Sequence, residues 1–325
     1  MNNQEERNNV FGTVLTDALP ASNYRGDTED NRSVLQTLKY ADGEHTVFSA
    51  ESIRNRLREM LREDGLKSNR SRLKSQRELT VHYDEFPNAR EFADDKLFGF
   101  LALSNKEGKE FQGESALRVN YAVSIEPFSQ RSTMHQSPVI KDSPFKNAGS
   151  SGIIYREVHV TAYQYPFGLN LNDFRDDKPE QEKKWKKWAA HLLRAIGELN
   201  GVAGNHARTM FPFGPVSIIL RLTARRTPDF DLYGFKLKPE DSQRELLDSL
   251  RNGELKGEDF YIGGRIVKDN EELKALAHQQ EEARKNTDKR AGLEEGTGLS
   301  KANLFNSATD AINALIKGAG LETEA

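Results

Sequence analysis

The sequence predicts a mixed α/β fold whose core runs strand, helix, strand, strand, helix, strand, with long polar insertions between these elements. Three observations carry that expectation. Val10 to Leu19 is an apolar, strand-like run stopped by Pro20; Ile53, Leu57, Met60 and Leu61 recur at helical spacing; and Ser217 to Arg225 alternates, with Ile218, Leu220 and Leu222 on one face and Arg221 and Arg225 on the other. The order is that of a ferredoxin-like or RRM-like core, of α+β character.

Each element has its own signal. Ser49 suits the N-cap of the first helix because its hydroxyl can accept a free backbone N–H, and Glu51 suits the positive end of the helix dipole. Asp64 and Gly65 stop that helix, and LKSNRSRLKSQR after it has few apolar anchors and reads as an exposed basic segment. KLFGFLAL from Lys96 is expected as a buried strand. It matches the RNA-recognition pattern in part, with Leu97 in place of the glycine and Leu103 in place of the last aromatic. Leu117 to Ile125 alternates as a strand. Glu126 to Gly152 is a long Pro-, Ser- and Gly-rich connection with Arg131, Met134 and His135 in its first part.

Ile153 to Tyr165 is expected as one strand, with Val158, Val160 and Ala162 sharing a face and His159 turned to the surface. Pro179 opens the strongest helix, in which Trp185, Trp188, Ala189, Leu192, Leu193 and Ile196 form a core stripe that ends before Gly201. Beyond Pro228 the chain is charged and loop-rich. FYIGGRIV offers a short strand, and Glu271 to Arg290 and Lys301 to Lys317 read as helices. In the last of these Leu304, Ala308, Ile312, Leu315 and Ile316 make an apolar stripe for the subunit's own core or for a neighbour.

Composition bounds the chemistry. The 325 residues contain no cysteine, which removes disulfides and thiolate zinc sites, and the 7 histidines are scattered without metal-ligand spacing, so neither a cofactor nor a metal is expected. No run of apolar residues is long enough for a bilayer and MNNQEERNN has no signal-peptide core, so a cytoplasmic protein is expected. The net charge of -3 makes no bulk case for nucleic acid, but charge is segregated. Ile53 to Arg77 carries nine basic against three acidic residues, and Pro239 to Glu295 ten against fifteen, an arrangement suited to two solvated surfaces or to head-to-tail association.

Four constellations could carry function. Arg54, Arg58 and Arg62 stand four apart and are expected as a cationic row beside the buried stripe of the first helix. The loop with Asn23, Tyr24, Arg25 and Gly26, followed by Arg32, offers forked donors for phosphate, an amide for sugar or base edges and a ring that can stack. The stretch GNHARTM offers Asn205, His206 and Arg208 on a flexible loop, with Met210 or Phe211 as an apolar wedge between bases, although Phe211 and Phe213 could equally close the core. Asp27, Glu29 and Asp30 could hold a divalent metal or could pair with Arg25 and Arg32. No G-x-S-x-G or phosphate-loop motif is present.

The blocks ALPASNYRGDTEDNRSVLQ, SAESIRNRLREML and AGNHARTMFPFGPVSIILRLT, in that order, resemble the backbone subunit of type I CRISPR effector (Cascade) complexes, of the DevR-type I-B kind. The likeness covers roughly residues 10 to 235. It implies a palm at residues 1–65 and 153–235, a fingers insertion at 66–152 interleaved with palm strands and a thumb-like loop at 201–216; the charged, mostly helical segment at 236–325 lies beyond the likeness and is read from its own residues. It further implies a subunit without catalytic activity that polymerises in several copies along a CRISPR RNA (crRNA), with other Cascade subunits, and displays the spacer for pairing with target DNA. Related type III backbone subunits resemble this chain in carrying a catalytic aspartate in the loop after the first strand, which keeps a metal-dependent endoribonuclease using Asp27 as an alternative. A solitary RRM-like RNA binder is another.

Overall fold

The computed structural model describes residues 6–24, 28–29, 32–74, 79–103, 110–136, 152–202, 210–285 and 298–322. The chain opens with β1 (Asn9–Leu15), β2 (Leu19–Ala21), the short β3 (Thr28–Glu29) and β4 (Arg32–Ser33), and a hairpin of β5 (Thr37–Tyr40) with β6 (Gly43–Phe48) that leads into α1 (Ala50–Glu63). A second hairpin, β7 (Arg70–Lys74) with β8 (Leu79–Tyr83), precedes α2 (Ala93–Phe98), the pair β9 (Phe100–Leu103) and β10 (Glu110–Gly113), and the short β11 (Leu117–Val119) and β12 (Ala122–Ser124). Next come β13 (Ser132–Gln136), β14 (Ile153–Glu157), β15 (His159–Thr161), β16 (Tyr163–Asn170), α3 (Pro179–Gly197) and β17 (Ser217–Thr223). The C-terminal segment supplies α4 (Arg244–Arg251), β18 (Phe260–Gly264), α5 (Arg265–Lys268), α6 (Glu271–Lys285), β19 (Asn303–Phe305) and α7 (Ala308–Gly318).

β1 lies at the centre of a nine-stranded sheet, antiparallel to β16 on one side and β17 on the other. Beyond β16 come β11 and β12, then β6 and β5; beyond β17 come β18 and, parallel to it, β19. Taken as β1, α1, β11/β12, β16, α3, β17, the chain has the expected strand–helix–strand–strand–helix–strand core. Val10 and Val14 join Ile218, Leu220 and Leu222 in a cluster with Ile53 and Leu57 of α1, the tryptophans of α3, and Ile312 and Ile316 of α7. Ser49 caps α1 as expected, its hydroxyl accepting from the Ser52 N–H at 3.3 Å. Trp185 and Trp188 are buried core residues.

The stripe of the last helix docks on its own subunit. Gly197 of α3 stands so close to α7 that a Cβ there would come within 2.9 Å of Ile312 Cδ1. The helix is shorter than the expected Lys301–Lys317: Asn303–Phe305 is a strand on β18, and Ser307 caps the helix from Ala308. Leu304 therefore leaves the stripe and packs in a second cluster on the opposite face of the sheet, with Ile219, Phe260, Ile262, Phe235, Leu246 and Leu250.

Three expectations for strands are corrected. Lys96–Phe98 ends a helix, because Ala93, Leu97 and Phe98 bury one helical face and the Asp94 carboxylate in the first turn accepts from the N–H groups of Asn69 (2.9 Å) and Arg70 (2.8 Å). Gly99 then turns the chain at φ +68°, and β9 pairs with β10 alone, leaving Leu101 exposed. Ile153–Tyr165 divides in three, since β14, β15 and β16 belong to different sheets. His159 is turned inward at 7% exposure and Val160 outward, the reverse of the sequence expectation, because β15 pairs with β2 and lays His159 against Thr46. The connection from Glu126 is also more regular than expected: β13 and β14 form a hairpin, joined by β4 and β3 into a small sheet. The basic segment after α1 likewise pairs, as β7 with β8.

Candidate nucleic-acid interface

The face of the core sheet that could serve as a base-stacking platform is covered. Thr13 donates to the Leu232 carbonyl at 2.7 Å, and Gln164 exchanges bonds with the backbone of Phe235, at 3.3 Å as donor and 3.1 Å as acceptor. Arg221 on the same face is buried, with Nη1 2.8 Å from Asp229 Oδ2 and Nη2 3.7 Å from Asp259 Oδ2. Residues after Pro228 thus cap the platform, and a strand of nucleic acid is left with the loops and insertions.

The first loop is held at its neck by one residue of β14. Glu157 is 4% exposed, and its carboxylate accepts from the Leu35 N–H at 2.9 Å and lies 3.2 Å from the Arg32 Nε. Its main-chain carbonyl accepts from the Tyr24 hydroxyl at 2.6 Å and from the Ser22 hydroxyl at 3.4 Å. Burial raises the Tyr24 phenol above its ordinary pKa. The expected Tyr24 contact to a base is therefore corrected as far as its hydroxyl goes, which is committed to the fold. Asn23 is corrected outright: it is buried and donates from Nδ2 to the Val47 carbonyl at 2.6 Å, so it has no edge to offer a base. Arg32 is partly exposed between Glu157 and solvent. Arg25, Asp27 and Asp30 lie outside the described residues, and of Glu29 only the backbone is described.

The expected arginine row separates into three environments. Arg62 is exposed. Arg54 is partly buried and donates to the Phe98 carbonyl, and burial lowers its pKa. Arg58 is only 7% exposed, which corrects its expected place at the surface. Its guanidinium sits 4.6 Å over the Phe98 ring, donates to Asn55 Oδ1 at 2.9 Å and lies 4.0 Å from the buried Asp94 carboxylate. Burial, followed by the neighbouring Arg70 charge, lowers its pKa to about 10. The row fails because α2 packs against α1 on the side where Arg58 projects. Arg56, which the spacing argument passed over, binds Glu63 and the Asn200 carbonyl and so ties α1 to the end of α3.

The β13–β14 hairpin is the most apolar exposed element. Directly opposed residues share a face, which places Met134, Tyr155 and Arg32 together across β13, β14 and β4. Met134 is 63% exposed, and Ile153, Ile154 and Tyr155 are exposed as well. Arg131 is exposed at its root, and His135 is exposed with Nε2 3.0 Å from the Thr133 hydroxyl. Ile153, Ile154 and Tyr155 escaped the sequence reading because Ile153 to Tyr165 reads as one strand, though an IIY run beside a Ser- and Pro-rich segment is a signal of exposed apolar surface. Asn205, His206 and Arg208 lie outside the described residues. At the edge of that stretch Met210 is 93% exposed, while Phe211 and Phe213 are buried, with their rings 6.4 and 4.6 Å from Phe48, and so close the core.

These features define a ferredoxin-like palm with a capped sheet face, carrying at its margins insertions with cationic and exposed apolar side chains. No protein-family model matches the chain. The chain is 29% identical over 272 residues to the CRISPR-associated protein Cas7/Cst2/DevR of Myxococcus xanthus (strain DK1622), covering 79% of this chain and 87% of that protein. Two solved structures share its fold. One is a chain of a "CRISPR RNA-guided surveillance complex, pre-nicking", with TM-score 0.54 and 13% identity, covering 96% of this chain and 100% of that one. The other is a chain of a "CRISPR RNA-guided surveillance complex", with TM-score 0.53 and 16% identity, covering 96% and 99%. The chain is similar to the Cas7/Cst2/DevR protein over most of its length, and the fold likeness takes in most of the C-terminal segment that the sequence resemblance left unplaced.

Proposed function

We propose that the protein is an RNA-binding backbone subunit of a type I CRISPR surveillance complex that works in the cytoplasm without catalytic activity. It polymerises along the crRNA beside the other subunits and presents the spacer for pairing with target DNA. The observation that carries this reading is the 29% identity to the Cas7/Cst2/DevR protein across 87% of that relative's length. The capped sheet face supports it against a solitary RRM-like binder, because an RRM stacks bases on the face that residues 229–250 cover here. Arg62, Arg32 and the basic segment beyond α1 supply phosphate contacts, and the exposed Met134–Tyr155 face supplies apolar surface for bases.

Purification with a co-expressed CRISPR locus tests the proposal, by sequencing the bound RNA and measuring particle mass. The expected outcome is crRNA of defined length in a multi-subunit particle; RNA-free monomer overturns it. Asp27→Ala is expected to leave the length of the bound RNA unchanged, and an accumulation of uncut RNA in that variant favours the endoribonuclease.

A further inference from the structure

We infer that Glu157 is the positioning residue of Arg32: it ties together the chain before residue 25 and after residue 31 and holds the Arg32 guanidinium in one orientation for the guide. The inference rests on the guide-binding reading of Arg32 given above. Its basis is the geometry at the neck. Ser22 and Tyr24, before the loop, donate to the Glu157 carbonyl, while Arg32 and the Leu35 N–H, after it, engage the carboxylate. One β14 residue therefore closes the base of the loop from both sides, through its backbone on one and its side chain on the other. Arg32 is further fixed because β4 runs parallel to β14, with Arg32 opposite Tyr155.

A carboxylate is the wrong charge to place beside a polyanion unless it has a geometric task. Glu157 repels phosphate, and its removal would by charge alone strengthen RNA binding. The task is to hold the planar Arg32 fork in one orientation, since an arginine that must first be ordered gives up part of its binding free energy to lost rotamer freedom. The cluster consists of well-partnered groups at 2.6–3.4 Å, which is the arrangement of a preorganised site.

The sign of one substitution decides the question. Glu157→Gln keeps an acceptor for the Leu35 N–H and raises the net charge by one. Binding of the full-length protein to a single-stranded RNA of guide sequence is measured by fluorescence anisotropy for wild type, Glu157→Gln, Arg32→Ala and the double variant, with native circular dichroism confirming the folded state. Expected are a three- to tenfold loss for Arg32→Ala, the weakening of one charge-assisted contact, a loss of threefold or more for Glu157→Gln despite its added charge, and a double-variant loss smaller than the product of the two. Equal or tighter binding by folded Glu157→Gln overturns the inference, as do losses that multiply. Should Glu157→Gln fail to fold, Tyr24→Phe removes one staple without altering charge. Weakened binding then supports the inference, and unchanged binding overturns it. Wild type that does not bind the RNA refutes the guide-binding reading itself, and Arg32→Ala without effect removes Arg32 from it; a normal wild type and a weakened Arg32→Ala beside an unweakened Glu157→Gln refute only the positioning.

Discussion

Replacing Arg58 should separate two properties that its spacing with Arg54 and Arg62 suggests are one. The pKa of its guanidinium, lowered to about 10 from 12.5 by burial and then by repulsion from Arg70, net of attraction from Asp94, corresponds to roughly 3 kcal/mol of unfavourable charge placement. Against this stand the ring of Phe98, worth about 2 kcal/mol as a desolvated cation–π contact, and the Asn55 bond, worth about 1 kcal/mol. The two sides nearly cancel. Asp94 would not be orphaned by the loss, because it keeps Ser68, Asn69 and Arg70 as donors. Arg58→Met, which retains a stem over Phe98, is therefore expected to change stability by less than about 1 kcal/mol, whereas Arg58→Ala also loses packing and should cost about 2 kcal/mol. Urea unfolding gives these values. In guide binding, the slope of log K against log salt should be unchanged in folded Arg58→Met and should flatten by about 0.7 in Arg62→Ala, which costs under about 0.5 kcal/mol of stability. A flattened slope in Arg58→Met with none in Arg62→Ala would refute the division into one core and one surface arginine.

Acid should weaken the fold through His159, whose pKa burial pulls down to about 4 from 6.5; its stabilising neutral form is fully present above pH 6.5, and stability falls as pH drops from there towards 4. The loss is about 3 kcal/mol at most and nearer 1–2 kcal/mol after solvent screening, read as the difference in urea midpoints at pH 7 and 4.5, and His159→Gln should remove that part of the slope. Ile312→Ala opens a gap between α7 and α3 and should cost 2–4 kcal/mol, roughly, while truncation before Lys301 removes β19 and α7 and should leave insoluble protein; a folded, soluble truncation would contradict the docking of that helix. Replacing residues 205–209 with Gly/Ser should keep much of the salt-dependent affinity yet abolish periodic reactivity of the guide to base-modifying probes. Survival of the periodicity together with its loss in Met134→Ser would assign the kinks to the β13–β14 hairpin.

The core was legible in the sequence wherever apolar residues recur at a regular helical or strand period. α1, α3 and β17 follow directly from periodicity and capping, and the resemblance in the loop blocks pointed to the protein class. Legibility failed where tertiary partners decide. Nothing in the spacing of Arg58 reveals that Phe98 and Asp94 arrive from α2, nor can the sequence show that Asn23 faces the Val47 carbonyl. KLFGFLAL misled because a helix end followed by a hairpin strand is as apolar as a single buried strand, and the glycine between them was read as part of a motif rather than as a φ +68° turn. Glu157 was invisible because a glutamate in a strand of polar alternation ordinarily faces water, and only the neck of a distant loop turns it inward. The cap over the sheet was missed for a related reason: Thr13 and Gln164 bury polar atoms against backbone groups of residues 232 and 235, a pairing without periodicity.

The position of β1 at the middle of the sheet also sets a clock. Both of its ladder partners, β16 and β17, are synthesised long after it, the nearer about 150 residues later. At 5–20 residues per second, the apolar strand waits roughly 7–30 s for the first of them. During translation NVFGTVL is thus an unpaired, aggregation-prone segment. The far edge of the sheet closes only with Asn303–Phe305, well after β17 has been made. The sheet therefore completes in stages: β16 and β17 close its centre first, and only later do β18, β19 and α7 arrive to seal the flank beyond β17.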